Sequence, residues 1–180
     1  ALITDMGRPL GYAIGNSLEV IEACETLRGK GPIDLTEVSI RLAAGLLELS
    51  GFSKGEEAYE RVKLQIQNGQ AFAKWKEMVM VQGGDVSFIE NPEKFPKADK
   101  TAPLLSDREG YILSMDTEKC GVASVELGAG RERKGDPIDP YAGILLRKKP
   151  GDFVRKGEIL AELFFAEKVN PAAAEKTLLE

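Results

Sequence analysis

Backbone amides and the side chains of Asp, Glu, Lys and Arg are the groups of this sequence that could do chemistry, because histidine is absent. Its absence removes the commonest general base and most transition-metal sites. The run GYAIGN, residues 11–16, leads into a predicted helix. Exposed amides at such a helix start can hold an anion such as phosphate. A tight connection before a capped helix is the simpler explanation, and the spacing is not that of a dinucleotide-binding loop.

Glu22 is a second candidate, because it lies on that first predicted helix. Together with nearby loop carbonyls, its carboxylate would suit a hard cation that prefers oxygen ligands. A solvated glutamate that is stabilised by the helix dipole requires no ligand at all. The residues alone favour this structural role for Glu22.

Residues 150–161, PGDFVRKGEILA, form a third candidate, because they resemble the hairpin of biotinyl and lipoyl carrier domains. Those domains carry a lysine at an exposed hairpin tip, in a Met-Lys-Met or Asp-Lys-Ala context. Lys119 stands in Glu-Lys-Cys on a predicted helix, so the hairpin indicates shared architecture rather than a modified lysine. A stand-alone carrier or interaction module is the alternative function.

The composition narrows the class of protein. The chain has 180 residues, a net charge of −5 and 43% hydrophobic residues, as expected of a globular protein. The densest basic run, Arg147-Lys148-Lys149, is short and is interpreted as a solvated strand end, so we expect no nucleic-acid partner. Cys24 and Cys120 form neither a disulfide framework nor a zinc site, which predicts a reducing cytoplasmic location. No apolar run reaches the length of a membrane span.

Four helices are predicted in the first half. The first extends from Asn16 or Ser17 to about Arg28, and the second from about Leu35 to Ser50. Ser53-Lys54-Gly55-Glu56 matches a capping box before the third helix. Glycines 29, 51, 69 and 83 are the predicted stops. The apolar residues that define the first, third and fourth helices are Leu18, Ile21, Cys24 and Leu27, then Ala58, Val62 and Ile66, then Phe72, Trp75, Met78 and Val79.

In two segments of the first half, the sequence predicts apolar surface that must pack against other protein. Residues 1–6, ALITDM, are predicted to form a buried strand without partners of its own, as in a piece taken from a larger enzyme. The second helix has a predicted core stripe and is apolar almost all round. We therefore expect self-association or a locally disordered start. The predicted stripe consists of Leu35, Val38, Leu42, Leu46 and Leu49.

The sequence of the second half predicts a mixture of helices and strands. Residues 85–105 contain Asn91-Pro92, Phe95-Pro96 and Ala102-Pro103, which predict an extended connector and a domain boundary near residue 98. Strands are predicted at 110–115, 143–147 and 159–165, with a turn at 150–152. A helix capped by Asp116 should end at Gly128, and Asn170-Pro171 should start a last helix. The predicted fold class is α+β.

Taken together, these segments resemble the C-terminal part of the pyrimidine nucleoside phosphorylase family, which includes thymidine phosphorylase. The resemblance follows the family order over nearly the whole chain, and PLGYAIGN and LGAGR are specific in combination. The segments that carry it are residues 3–6, 9–20, 82–85, 110–111, 127–131, 149–152, 154 and 156–157.

The resemblance implies a parent enzyme that is a homodimer and a pentosyltransferase. Such an enzyme cleaves a pyrimidine nucleoside with inorganic phosphate, giving the free base and a pentose 1-phosphate. It requires an anion cradle for phosphate and positive groups at the pyrimidine carbonyls. The family carries these groups upstream of the matched segment. No catalytic or substrate-binding residue is therefore expected in this chain, and the chain alone is expected to be inactive.

The resemblance also implies a structural potassium site in the parent enzyme, with no cofactor for catalysis. Its ligands map onto the backbone carbonyls of Leu10 and Ala13 and the carboxylate of Glu22. The remaining family ligands lie upstream, so half a site is expected to bind a cation poorly. Residues 1–98 would be a mostly helical remnant of the α/β domain, and residues 99–180 would be the C-terminal α/β hammerhead domain.

Overall fold

A computed structural model describes residues 1–131 and 133–180. The chain forms two compact units. The first unit comprises residues 1–3 and 20–95, and the second comprises residues 4–19 and 96–180. The second unit is therefore built from two stretches that are distant in sequence. The predicted domains, 1–98 and 99–180, stay predictions.

The first unit is helical. Its elements are the part of α1 (Asn16–Leu27) from Val20 onward, then α2 (Ile33–Leu49), α3 (Gly55–Gln67), α4 (Gln70–Val81), α5 (Val86–Glu90) and a 3-10 turn, Pro92–Lys94. Neighbouring helices from α2 to α5 pack in sequence order. Its most deeply buried apolar residues are Cys24, Ile40, Ala44, Ala58 and Ile89. The helices stop close to the predicted glycines, and each of those glycines has a positive φ that suits a helix end.

The predicted connector at residues 85–105 is wrong in part, because it contains a short helix. Asp85 accepts a hydrogen bond from Ser87 N–H and so caps α5. Ile89 is buried, which gives this short helix an anchor in the first unit. The prolines had suggested an extended chain, yet Pro92 opens the 3-10 turn, where it loses no hydrogen bond.

The predicted capping box at α3 is also wrong. The residue before the helix is Lys54, and its side chain makes no capping hydrogen bond. Ser53 is buried, and its Oγ has no hydrogen-bond partner among the described residues. The Gly55 N–H donates instead to Glu48 Oε1 of α2, at 2.6 Å. A carboxylate from the neighbouring helix thus replaces the local cap.

Ser53→Ala is therefore expected to leave the free energy of unfolding unchanged or to raise it by about 1 kcal/mol, because it removes an unsatisfied buried hydroxyl. Asp116→Ala is the control, because Asp116 does cap α6 (Thr117–Glu126) by accepting from Glu118 N–H and Lys119 N–H. It should cost about 1 kcal/mol. Urea unfolding followed by circular dichroism measures both changes. A loss of stability in Ser53→Ala would instead support the predicted capping box.

The core stripe predicted for α2 is wrong at three of its five positions, since Leu35 and Val38 are half-buried but the other three residues are exposed. The buried residues are Ile40 and Ala44. Leu42, Leu46 and Leu49 are 54%, 67% and 88% exposed. The helix is apolar on both sides, so the pattern alone did not determine which side would be covered.

Residues 1–6 do not form the predicted buried strand. They have no regular secondary structure, and all six are exposed. Ile3 is 97% exposed and Met6 is 80% exposed. A strand requires neighbouring strands for its backbone hydrogen bonds, and the described residues supply none to this segment. The predicted self-association stays a prediction.

The second unit contains a four-stranded antiparallel sheet in the order β1-β4-β6-β2. These strands are β1 (Ala13–Ile14), β2 (Lys100–Leu105), β4 (Gly143–Leu146) and β6 (Ile159–Phe165). Alternate residues of β6, namely Ala161, Leu163 and Phe165, are buried, as expected for a sheet with one covered face. Pro103 is tolerated because β2 lies at the edge of the sheet.

The core of the second unit joins this sheet to α6 and α7 (Ala172–Leu179). Ala123 of α6, Leu127 at the end of that helix and Ala174 of α7 belong to the same buried cluster as Ile144 and Leu163 of the sheet. The predictions for α6, its cap and the last helix are confirmed. The α+β class is confirmed as well, since both units together combine helices with small antiparallel sheets.

Two strand predictions are corrected. The strand predicted at 110–115 is only β3 (Gly110–Tyr111), which pairs with β5 (Phe153–Val154). The segment interpreted as a hairpin at 150–161 is not one, because β5 pairs with β3 whereas β6 pairs with β2 and β4. The turn at 150–152 is confirmed. Among the described residues, no helix is both long and apolar enough to cross a membrane.

Candidate functional site

The glycine-rich run at residues 11–16 is the first candidate site, and it forms β1 and the start of α1. The Gly15 N–H donates to Glu19 Oε1 at 3.0 Å, and the Ser17 N–H donates to the Pro140 carbonyl at 3.0 Å. Two amides that an anion would need are therefore already used. This supports the simpler interpretation, a tight connection before a helix.

Close backbone contact explains the glycines of this connection. A Cβ on Gly15 would lie 2.5 Å from the Ala142 carbonyl oxygen. A Cβ on Gly143 would overlap the Ile14 carbonyl oxygen. Both positions need glycine because β1 and β4 approach each other here at the level of the backbone. The sequence indicated a turn at this run but not its partner strand.

Lys149 was interpreted as part of a solvated strand end, and this is wrong, because its residue is only 8% exposed. Its Nζ donates to the Pro9 carbonyl at 3.0 Å and lies 4.6 Å from the centre of the Tyr12 ring. The Lys149 N–H donates to Asp152 Oδ2 at 2.8 Å. Lys149 thus ties the loop before β1 to the turn after β4. The adjacent Pro-Gly-Asp turn was the one local signal that this lysine is not simply solvated.

The three residues assigned to the potassium site lie on different elements. Leu10 is 47% exposed in the loop before β1, and Ala13 is a buried residue of β1. Both belong to the second unit. Glu22 is half-buried on α1, in the stretch that belongs to the first unit. The potassium site stays a prediction.

Both cysteines are buried free thiols. Burial raises the pKa of the Cys24 thiol, while the Trp75 indole and Arg28 act in the opposite direction. Burial, assisted by the charge of Asp116, also raises the pKa of Cys120. A thiol with a raised pKa and an exposure of 4% or less is a poor nucleophile, so both residues serve the core.

Lys119, the residue examined as a carrier lysine, lies on α6 as predicted. Its Nζ contacts Glu180 Oε2 at 3.3 Å. A carrier domain presents its lysine at an exposed hairpin tip, and Lys119 is on a helix. The carrier alternative is not favoured.

A cavity of about 530 Å³ lies within the second unit and was not predicted from the sequence. Its floor is apolar and includes Leu104, Leu146 and Leu160. The charged residues that line it are four acidic ones, Asp107, Glu109, Asp116 and Glu180, and three basic ones, Arg108, Lys119 and Lys148. Because the acidic residues outnumber the basic ones, the cavity offers no concentrated positive charge for a phosphate. Among the described residues, no group of three or more Cys, Asp or Glu side chains is placed to hold a metal ion.

These features define an α+β class of protein, with a helical unit and a second unit that contains a small antiparallel sheet. Residues 111–180 match the family model described as the pyrimidine nucleoside phosphorylase C-terminal domain. The chain belongs to the pyrimidine nucleoside phosphorylase family, as the resemblance in its sequence predicted.

Several curated relatives carry the name pyrimidine-nucleoside phosphorylase. The protein of Bacillus subtilis strain 168 is 42% identical over 165 residues, which cover 91% of this chain and 38% of the relative. The protein of Staphylococcus haemolyticus is 44% identical over 161 residues, covering 89% and 37%. The protein of Geobacillus stearothermophilus is 40% identical over 165 residues, covering 91% and 38%. The chain thus spans less than two fifths of the length of these relatives.

Proposed function

We propose that this chain acts as the C-terminal part of a pyrimidine nucleoside phosphorylase. The enzyme would transfer the pentose of a pyrimidine nucleoside to inorganic phosphate and release the free base. The observation that carries the proposal is the similarity over nine tenths of the chain to proteins of that name. The match to the C-terminal domain of the family places the similarity at that end of the enzyme.

Within that enzyme, the chain would supply structure rather than catalytic groups. General acids and bases have pKa values tuned toward neutrality. Where the pKa of a carboxyl group among the described residues departs from its ordinary value, the pKa is lowered. A hydrogen bond from Tyr59 lowers the pKa of Glu37, and a hydrogen bond from Lys148 lowers that of Glu158. Both carboxylates remain charged, and each forms an ion pair, Glu37 with Arg41 and Glu158 with Lys148.

The proposal extends to the remaining features that the family resemblance implies. Phosphate and nucleoside would be held by groups outside these residues, because the glycine-rich run is occupied by contacts of its own. The parent enzyme would be a cytoplasmic homodimer. Residues 99–180 would correspond to the α/β hammerhead domain and would stabilise the active-site cleft.

The isolated chain is expected to show no phosphate-dependent release of uracil or thymine. A chimera is expected to be active, in which this chain replaces the matching segment of the Bacillus subtilis relative. Its kcat/KM should remain within about tenfold of that relative, because no group that contacts substrate is changed. Uridine and thymidine phosphorolysis, followed by absorbance, measures both proteins.

Deleting residues 99–180 from the chimera tests the structural role. The deletion is expected to lower both the Tm and the phosphorolysis rate. Unchanged stability and turnover after the deletion would contradict a supporting role. Turnover by the isolated chain would contradict the location of the catalytic groups.

A further inference from the structure

The outward side of α2 carries an apolar stripe formed by Leu42, Leu46 and Leu49, here called the outer stripe. These residues are spaced by four and three positions, so they lie along one face of the helix. They are 54%, 67% and 88% exposed. Such a row of large exposed side chains on a helix marks an interaction surface more often than an ordinary solvated face.

The outer stripe is not the face that builds the first unit. Ile40 and Ala44 are buried at 4% and 6% exposure, and helical geometry places them on the opposite side of α2. The partner of α2 in the first unit is α3. The helix therefore has two apolar sides. One is packed, and the other is half-buried at Leu35 and Val38 and faces outward at the outer stripe.

The charged residues beside the outer stripe are already engaged within the unit. Arg41 bonds Glu37 at 2.7 Å and lies 4.3 Å from the centre of the Tyr59 ring. Glu48 accepts the Gly55 N–H. The outer stripe itself therefore contains no charged residue, and the charged residues beside it already have partners. A surface with an apolar centre is typical of permanent interfaces.

We propose that the outer stripe is the surface on which the rest of the phosphorylase fold docks. A permanent apolar interface needs a partner that is always present. The relatives carry such a partner, because more than half of their length lies outside the segment that this chain matches. With a length of about 25 Å, α2 is long enough to be covered by a helix or a sheet of that part. This inference rests on the proposed function.

The test places Leu46→Asp in two proteins, the isolated chain and the Bacillus subtilis chimera. In the chimera, the substitution would put a carboxylate into a covered interface, and the Tm is expected to fall by about 5 °C or more. In the isolated chain the same residue meets water, and the Tm should change by less than about 2 °C. Val122→Asp on α6, at a position 47% exposed, controls for placing a charge on an exposed apolar helix residue and should be equally mild in both proteins.

An equally small effect of Leu46→Asp in both proteins would overturn the proposal. An isolated chain that is a dimer, and that Leu46→Asp both dissociates and destabilises, would identify a second copy as the occupant. A monomeric isolated chain destabilised as much as the chimera would show that its own second unit covers the stripe. The activity of the unsubstituted chimera separates the docking proposal from the proposed function. If the chimera is inactive but Leu46→Asp still lowers its Tm more than that of the isolated chain, only the proposed function is refuted.

Discussion

Gly143→Ala is expected to lower the free energy of unfolding of the second unit by about 3 kcal/mol or more. The added methyl group would overlap the Ile14 carbonyl oxygen and lie 2.9 Å from Leu18 Cδ1. The φ of +155° at Gly143 adds strain for any L side chain. The Ile14 contact is to backbone and cannot be relieved by a rotamer change, so β1 would have to move away from β4.

Calorimetry should show this loss as a fall in Tm of roughly 10 °C. Hydrogen exchange gives a local readout, because the Leu146 N–H donates to the Tyr12 carbonyl and should lose protection when β1 moves. Gly121→Ala is the matched control, since an added Cβ there meets nothing within 4 Å on α6. That control should raise stability by roughly 0.5–1 kcal/mol. Equal effects of the two substitutions would refute the close approach of β1 and β4.

Arg28→Ala is expected to lower the free energy of unfolding of the first unit by about 3 kcal/mol. The Arg28 guanidinium donates to the carbonyls of Ile89 and Glu90, at 2.7 and 2.8 Å, at the C-terminal end of α5. The guanidinium carbon, Cζ, lies 4.4 Å from the centre of the Phe72 ring on α4. One side chain, directly after the end of α1, therefore contacts both α4 and α5, and its removal leaves helix-end carbonyls without a donor.

Trp75, the single tryptophan, belongs to the first unit, so its fluorescence during urea unfolding measures this loss. Arg28→Lys should give an intermediate loss, because lysine keeps the charge but lacks the planar fork. Arg61→Ala is the surface control, since Arg61 pairs with Glu57 at 2.8 Å where both side chains are at least 51% exposed. It should change stability by less than about 1 kcal/mol. A loss in Arg61→Ala that matches Arg28→Ala would show that the carbonyl contacts contribute little.

Local signals predicted much of this fold. The stops at Gly29, Gly69 and Gly128 and the cap at Asp116 each depend on a few neighbouring residues, and they are found where the sequence places them. The strand at Ile159–Phe165 was equally clear, because its apolar run is bounded by turn residues. These features could be predicted because the physical cause lies within one turn or one strand.

The predictions that failed depended on distant partners. Residues 1–6 have strand propensity, but a strand forms only beside another strand. Ser53 matched a capping box, yet Glu48 from the preceding helix takes the position of the cap. The strand Ala13–Ile14 was missed because its partner lies far along the chain.

The candidate site shows the same division. The glycine-rich run was identified from the sequence, but the contacts that occupy its amides come from Glu19 and Pro140 and were not predictable from the run alone. Lys149 was misjudged because its partners, Pro9 and Tyr12, are remote in sequence. Family resemblance supplied what local patterns did not, since it rests on the order of many segments together.

The pairing of β1 with β4 also determines how the second unit must assemble. Ile14 and Ile144 are direct partners across about 130 residues of chain. Closing a loop of that length costs roughly 4 kcal/mol of chain entropy, whereas β6 meets β4 across a short connection. A contact with such a large sequence separation forms late, so strands β4 and β6 would associate first and residues 4–19 would join an existing sheet. Because β1 has only two residues and lies at the edge of the sheet, it is also the part of the sheet expected to detach first when the protein unfolds locally.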